Sequence, residues 1–314
     1  MNKKTITVIT PCFNEEANIV DVCREIRQVF EDLPDYNYEH VFIDNASTDG
    51  TVELLRGIAA KDKHVKVIIC AKNFGPVRSH YHALREFTGD AMIYYMCDLQ
   101  EPPATIKEFV AKWEEGYKIV LGIKQSSREN PIMFAIRKAY YRVLRWISEM
   151  EHFDDFMSFG LYDKAFIDIL KGIDDPYPYF RGQVAEFGWD IARVPYAQNA
   201  RNKGKSTNNF YSLYGQAMLG FINQSKVPLR LACFVGFSVA ILSLLVAFVY
   251  FVLKLMWWDT FQMGMAPLVI GLFFFASVQL FFIGIIGEYI GAIFTHVKKK
   301  PLVIERERIN FDTD

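Results

Sequence analysis

Residues 89–103 hold the densest chemistry in the chain. A short apolar run at 91–97 reads as a buried parallel strand. It ends on Asp98, Leu99, Gln100 and Glu101, after which Pro102 and Pro103 open a helix. An acid with an amide two residues on offers hard oxygen ligands to a divalent ion that carries phosphates. In an open α/β sheet, ligands bind in the crevice beyond the carboxyl ends of the strands. Two more segments point at the same crevice. Pro11-Cys12-Phe13-Asn14-Glu15-Glu16 follows the first strand and offers an aromatic for a base, with a carboxylate and backbone amides for its polar edge; it also reads as a plain strand–helix turn with an Asn cap. The second strand runs into Asp44-Asn45-Ala46-Ser47-Thr48-Asp49-Gly50, with cap residues for the next helix. Asp44 or Asp98 alone reads as a cap. Two strand-terminal acids in this order and spacing point to a site.

The elements that must position these residues alternate. Strand-like runs fall at 5–10, 40–44, 65–70, 91–97 and 118–123, with helical patterns at 15–30, 51–61, 76–87 and 103–115. That alternation predicts a mainly parallel, doubly wound α/β sheet. Beyond it, residues 131–150 mix apolar side chains with Arg137, Lys138, Arg142 and Arg145, a basic amphipathic helix that either lies on a membrane surface or covers the soluble core. Residues 199–209 form a loop by composition, carrying Arg201, Lys203 and Lys205, suited to an anionic ligand or simply solvated. His80 and His82, two apart on a helix, face different ways and form no metal pair.

The 314 residues suffice for a soluble domain and an appendage. The 51% hydrophobic content is high for a soluble chain because apolar residues concentrate near the C-terminus. Residues 231–255 carry no charge before Lys254, and 265–287 carry none. Each exceeds the roughly 20 residues that cross a bilayer. Lys226 and Arg230 precede the first run, Lys298-Lys299-Lys300 follow the second, and Trp257-Trp258 flank the short connection. The positive-inside rule then places both termini in the cytoplasm of a two-span protein of the plasma membrane, with Glu288 just past the second span. No secretory apolar segment precedes the first strand. Five cysteines without a CxxC pair favour free thiols in a reducing compartment. A net charge of −1 gives no field for nucleic acid.

These pieces together resemble glycosyltransferase family 2 of GT-A fold, and more closely its polyprenyl-phosphate glycosyltransferases, which include dolichyl-phosphate mannose synthases and bacterial undecaprenyl-phosphate glucosyltransferases. The resemblance rests on residues 11–16, 44–51, Lys72-Asn73-Phe74-Gly75, Asp98 to Pro103, Phe180-Arg181-Gly182, residues 201–206, and Pro228-Leu229-Arg230 before the apolar runs. It implies a GT-A core at 1–130, an acceptor-side part at 131–226, a two-helix transmembrane anchor at 227–297 and a cytoplasmic tail at 298–314. It also implies a nucleotide-sugar donor, UDP-linked for a bacterial member, and a polyprenyl phosphate acceptor met at the membrane, with a homo-oligomer left open. By that analogy Pro11, Phe13, Glu15 and Asp44 contact the nucleotide. Asp98, the residue expected to be catalytic, and Gln100 hold Mg²⁺ or Mn²⁺. Lys124, Arg128, Arg137 and Arg181 meet the acceptor phosphate, and Arg201 and Lys205 close over the donor phosphates.

The chain departs from the family pattern in places. Asn45 stands where a second acid is usual, and Met96 replaces the first acid of an Asp-x-Asp motif; a thioether is a poor ligand for a hard cation. Gly160 stands where an acceptor-site arginine is usual, and Thr207 where a lysine is usual. Two other readings stay open. One is a membrane transferase acting directly on a glycolipid or polysaccharide. The other is an inactive scaffold that binds nucleotide or lipid.

Overall fold

The computed structural model describes residues 3–125, 156–175, 178–199, 227–257, 265–298 and 300–311. Eight strands form one sheet: β1 (Lys4–Cys12), β2 (Tyr36–Asp44), β3 (Val65–Cys70), β4 (Ala91–Tyr94), β5 (Ile119–Lys124), β6 (Phe156–Asp163), β7 (Ile191–Tyr196) and β8 (Glu305–Ile309). Their order is β7-β5-β6-β4-β1-β2-β3-β8. β6 runs antiparallel to β4 and β5, and β8 antiparallel to β3; every other pairing is parallel. The expected mainly parallel sheet is present.

Alternation along the strands sorts the core into two layers. Ile6, Val8, Phe42, Val67 and Ile69 face one side, against α1 (Ile19–Glu31), α2 (Thr51–Ala59) and α4 (Thr105–Glu114). Ile9, Val41, Ile43, Ile68 and Tyr94 face the other, against α3 (Pro76–Arg85) and α5 (Lys164–Gly172). Full burial of one such side chain contributes roughly 1.5–3 kcal/mol. The register of β1 is therefore strongly fixed, because a one-residue slip would exchange its two buried faces. A shorter helix, α6 (Phe180–Glu186), carries Arg181 on its first turn.

Helix α1 starts four residues later than the sequence pattern suggests. Asn14 takes a left-handed conformation (φ 56°), and Glu15 O accepts from the Asn18 and Ile19 amides, so residues 15–18 form a turn ahead of the helix. Strand β4 is also shorter than expected, ending at Tyr94 opposite Gly160.

Two long helices follow, α7 (Val227–Met256) and α8 (Met265–Val297). Among the described residues, Phe274–Val297 is the stretch long and apolar enough to cross a membrane. It takes in Glu288, which the sequence pattern places beyond a run ending at 287. Phe234, Phe237, Phe274 and Phe281 are among the large apolar side chains these helices leave exposed.

The tail expected at 298–314 is corrected as far as 311. Leu302 and Val303 are buried in the core, and β8 completes the sheet edge beside β3. Asn310 Nδ2 donates to Ala59 O (2.7 Å) and Val65 O (2.8 Å), Arg56 pairs with Glu307 (2.5 Å), and Arg78 donates to Pro301 O. Pairing with β3 makes this highly charged segment a strand.

Candidate active site

The carboxyl ends of β1, β2 and β4 lie side by side, so the three loops that follow share one edge of the sheet. The first two are laced together. Asn14 N donates to Ser47 Oγ (2.9 Å), Thr48 N to Asn14 Oδ1 (2.8 Å), Glu15 N to Thr51 Oγ1 (2.9 Å) and Gly50 N to Glu16 Oε2 (3.0 Å). Pro11 is buried within this lacing, whereas Phe13 and Glu15 are half-buried. Glu15 Oε2 accepts from Asn18 Nδ2 (2.6 Å).

Asp44 is fully buried. Its carboxylate accepts from the Ser47 hydroxyl and from Ser47 N (3.0 Å). Burial pushes its carboxyl above the usual range, with the Ser47 bonds opposing. Asp44 thereby shapes the 45–48 turn. Asn45, the departure from the acidic pair, has a defined job. Its Nδ2 donates to Asn73 Oδ1 (2.9 Å) and its Oδ1 accepts from Phe74 N (2.9 Å). Asn73 Oδ1 also takes Gly75 N (2.8 Å). A carboxylate at 45 has no proton for Asn73, so the amide suits this link to the third loop.

At the end of β4, Asp98 and Gln100 are half-buried, and Gln100 N donates to Asp98 Oδ1 (3.4 Å) across a turn in which Leu99 has φ 53°. Gln100 O accepts from Asn199 N (2.8 Å), and Gln100 Oε1 from Gln198 Nε2 (3.3 Å). The segment leading to the cationic loop is thus moored on this corner. Next to it, Glu101 is 3% exposed. Tyr95 OH donates to its backbone carbonyl (2.8 Å), while its side-chain Oε2 is buried with no hydrogen-bond partner. Burial, then the neighbouring Asp98 charge, raises its carboxyl to about 7, while a hydrogen bond from its own backbone N–H and, more weakly, the Lys124 charge work against the rise. Arg181 and Glu101 both act on the buried Tyr94 hydroxyl, as Asp98 and Lys124 both act on Glu101. Carboxylate and amide oxygens, one of them orphaned, suit a divalent cation.

Lys124 ends β5, just after a register irregularity between Leu121 and Ile123 against β6. Gly160 explains the missing arginine: a Cβ there would lie 2.5 Å from Val120 O. No side chain fits without moving β6. Arg128, Arg137, Arg201, Lys205 and Thr207, and the amphipathic helix at 131–150, lie outside the described residues. Sequence reasoning passed over the Asn45–Asn73 link and the burial of Glu101. Spacing showed neither, although the unusual Asn45 marked the position.

Among the described residues one further group could hold a metal: His82, Glu86 and Glu305, with ligand atoms within 4.8 Å of one another. It sits where α3 meets β8, and Arg308 already fills it, donating to Glu86 (2.8 Å) and to both Glu305 oxygens. A guanidinium there serves as the cation. His80 instead meets the Tyr94 hydroxyl (2.6 Å), consistent with the two histidines facing different ways.

The family model of glycosyl transferase family 2 matches residues 7–169, just over half of the chain. The chain is 29% identical to an uncharacterized glycosyltransferase of Bacillus subtilis, over 95% of this chain and 92% of that one. It is 28% identical to a bactoprenol glucosyl transferase of Shigella phage SfX, over 96% and 99% respectively. Among solved structures, a mannosyltransferase from Pyrobaculum calidifontis in complex with GDP-Man and Mn²⁺ is 16% identical, with a TM-score of 0.48 over 96% of this chain and 89% of that one. With strand-end acids on a mostly parallel α/β sheet and a family match over just over half of its length, this chain belongs to glycosyl transferase family 2.

Proposed function

We propose that the chain transfers one sugar, with inversion, from a UDP-linked donor to undecaprenyl phosphate at the cytoplasmic face of the plasma membrane. The observation that carries this reading is the corner at the end of β4, where Asp98 and Gln100 close a turn beside the enclosed Glu101, on which the Lys124 charge acts. Such a corner suits two phosphate-bearing reactants brought together. The full-length similarity to proteins named bactoprenol glucosyl transferases supports the acceptor class.

The nucleotide lies against the laced loops of β1 and β2, using Pro11, Phe13, Glu15 and, through its turn, Asp44. Arg201 and Lys205 close over the diphosphate. Lys124, Arg128, Arg137 and Arg181 hold the acceptor phosphate. A phosphate monoester has a second pKa of about 6, so the nucleophile is largely ionised near neutrality and needs no general base. Its oxygen bonds to the anomeric carbon as the carbon–oxygen bond to the diphosphate breaks on the opposite face, and the electron pair leaves with the nucleoside diphosphate. The chain's contribution is in-line positioning and stabilisation of the departing charge. Asp98 and Gln100 would hold Mg²⁺ or Mn²⁺, which when bound neutralises charge on the leaving diphosphate.

The domain reading follows. Residues 1–130 bind the donor, 131–226 form the acceptor side, and 227–297 anchor the enzyme through two spans with both termini cytoplasmic. An isoprenoid is held in the bilayer by about 0.8 kcal/mol per buried CH₂, so the catalytic domain must come to its substrate. The test is transfer from a panel of radiolabelled nucleotide sugars to undecaprenyl phosphate in detergent, with and without Mg²⁺. A labelled, acid-labile lipid from a UDP-sugar is expected. No lipid product from any donor, with nucleotide binding intact, refutes the reading.

A further inference from the structure

Glu101 is the buried acid that no step above uses. Its side chain is enclosed, Oε2 has no hydrogen-bond partner, and the loop bearing it is pinned by the Tyr95 hydroxyl on its backbone carbonyl. Among the described residues no side chain donates a hydrogen bond to Oε2. The charges it feels are Asp98, which repels it, and Lys124, which attracts it. An enclosed carboxylate beside a like charge is costly unless a cation or strong donors face it. The same strand end lacks the acid that Asp-x-Asp motifs carry, since Met96 stands there with a sulfur ill-suited to hard cations. The strand end thus has one carboxylate too few before the turn and, after it, a buried carboxylate whose Oε2 has no hydrogen-bond partner among the described residues.

We propose that Glu101 is a ligand of the divalent cation held by Asp98 and Gln100, supplying from beyond the turn the carboxylate that Met96 cannot. This rests on the reading that Asp98 and Gln100 hold such an ion. Three oxygen-donating side chains within four residues then meet the ion, and the rest of its shell is left to phosphate oxygens and water, as Mg²⁺ and Mn²⁺ chemistry favours. Lys124, whose charge acts on the same carboxylate, belongs to the acceptor side in the reading proposed above.

The test is direct Mn²⁺ binding to the full chain in detergent, with UDP present, read from the electron paramagnetic resonance signal of free Mn²⁺. Glu101→Gln keeps the shape and removes the charge. It is expected to raise the Mn²⁺ dissociation constant at least tenfold while UDP binding without metal is unchanged. An affinity within twofold of the parent protein overturns the proposal and makes Glu101 a buried neutral acid. Should Glu101→Gln not fold, Glu101→Ala is read against the same two thresholds. Asp98→Ala separates the two layers of the argument. If it leaves Mn²⁺ affinity intact, or the parent chain binds no Mn²⁺, the underlying metal reading fails with this one. If Asp98→Ala loses the ion and Glu101→Gln does not, only the Glu101 assignment fails.

Discussion

Glycine-to-alanine exchange at two positions should move stability in opposite directions. Gly160 lies in β6 opposite Tyr94 of β4 and Leu121 of β5. A methyl group there would sit 2.5 Å from Val120 O, inside the 3.0 Å that real Cβ contacts essentially never breach. The obstacle is backbone, so relief requires β6 to shift by roughly half an ångström against its partners. Overpacking of this kind costs about 1–3 kcal/mol, and weakened ladder bonds add about 1 kcal/mol, so Gly160→Ala should lose about 2–4 kcal/mol. For a domain of this size that is a fall in Tm of about 5–15 °C. Gly57 is an exposed position inside α2 with nothing within 4 Å of a built Cβ. There alanine should gain about 0.5–1 kcal/mol, or about 1–4 °C, by reducing the freedom of the unfolded chain. Thermal unfolding of the two variants in one detergent, followed by circular dichroism, tests both signs. A Gly160→Ala melting point within about 2 °C of the parent would show that the β5–β6 contact is slack, and the explanation for the missing arginine would go with it.

Asp98→Ala should reduce sugar transfer by at least about 10²-fold with melting unchanged; retained turnover removes Asp98 from the site. Burial lowers His40 to about 3 and His80 to about 4, while the unfolded chain takes up these protons near 6.5. Stability should therefore be complete above pH 6.5 and fall below it, by up to about 1.4 kcal/mol per pH unit for each histidine. Denaturant titrations between pH 4.5 and 7 should show that slope reduced by one proton's share in His80→Gln, and an unchanged slope contradicts the assignment. Arg308→Ala leaves His82, Glu86 and Glu305 without their cation. Micromolar Zn²⁺ should then raise the melting temperature of the variant but not of the parent, and equal responses would show that the arginine does not fill that cluster.

The strands that read well from sequence owe their pattern to burial on both faces. Residues 65–70 are an unbroken apolar run apart from Lys66, and the observed β3 has those same limits. β8 was illegible because Glu305-Arg306-Glu307-Arg308 has no apolar face; charge on an edge strand discourages pairing with other chains. Gly160 of β6 answers to a constraint set by the neighbouring strand, the Val120 carbonyl of β5, and no local pattern encodes it. The site shows the same division. Asp98 and Gln100 could be picked out because their types and spacing are unusual at a strand end. Asp44 could be picked out too, but its enclosure by Ser47 depends on how the 45–48 turn folds back. Glu101 looked like one more polar residue before two prolines, and only packing reveals it as buried.

The pairing of β8 with β3 has a consequence for how the protein is made. β3 lies early in the chain, whereas its outer neighbour is translated only after both long apolar helices. Until then β3 presents an unpaired edge, and Leu302 and Val303 are missing from the core. The nascent domain therefore reaches its final form only once the apolar helices have left the ribosome. Its last step of maturation falls after the point at which those helices find their own surroundings. An unfinished sheet edge in the meantime is a natural binding point for chaperones, and a chain stalled between α8 and β8 should be held by them longer than one released at full length.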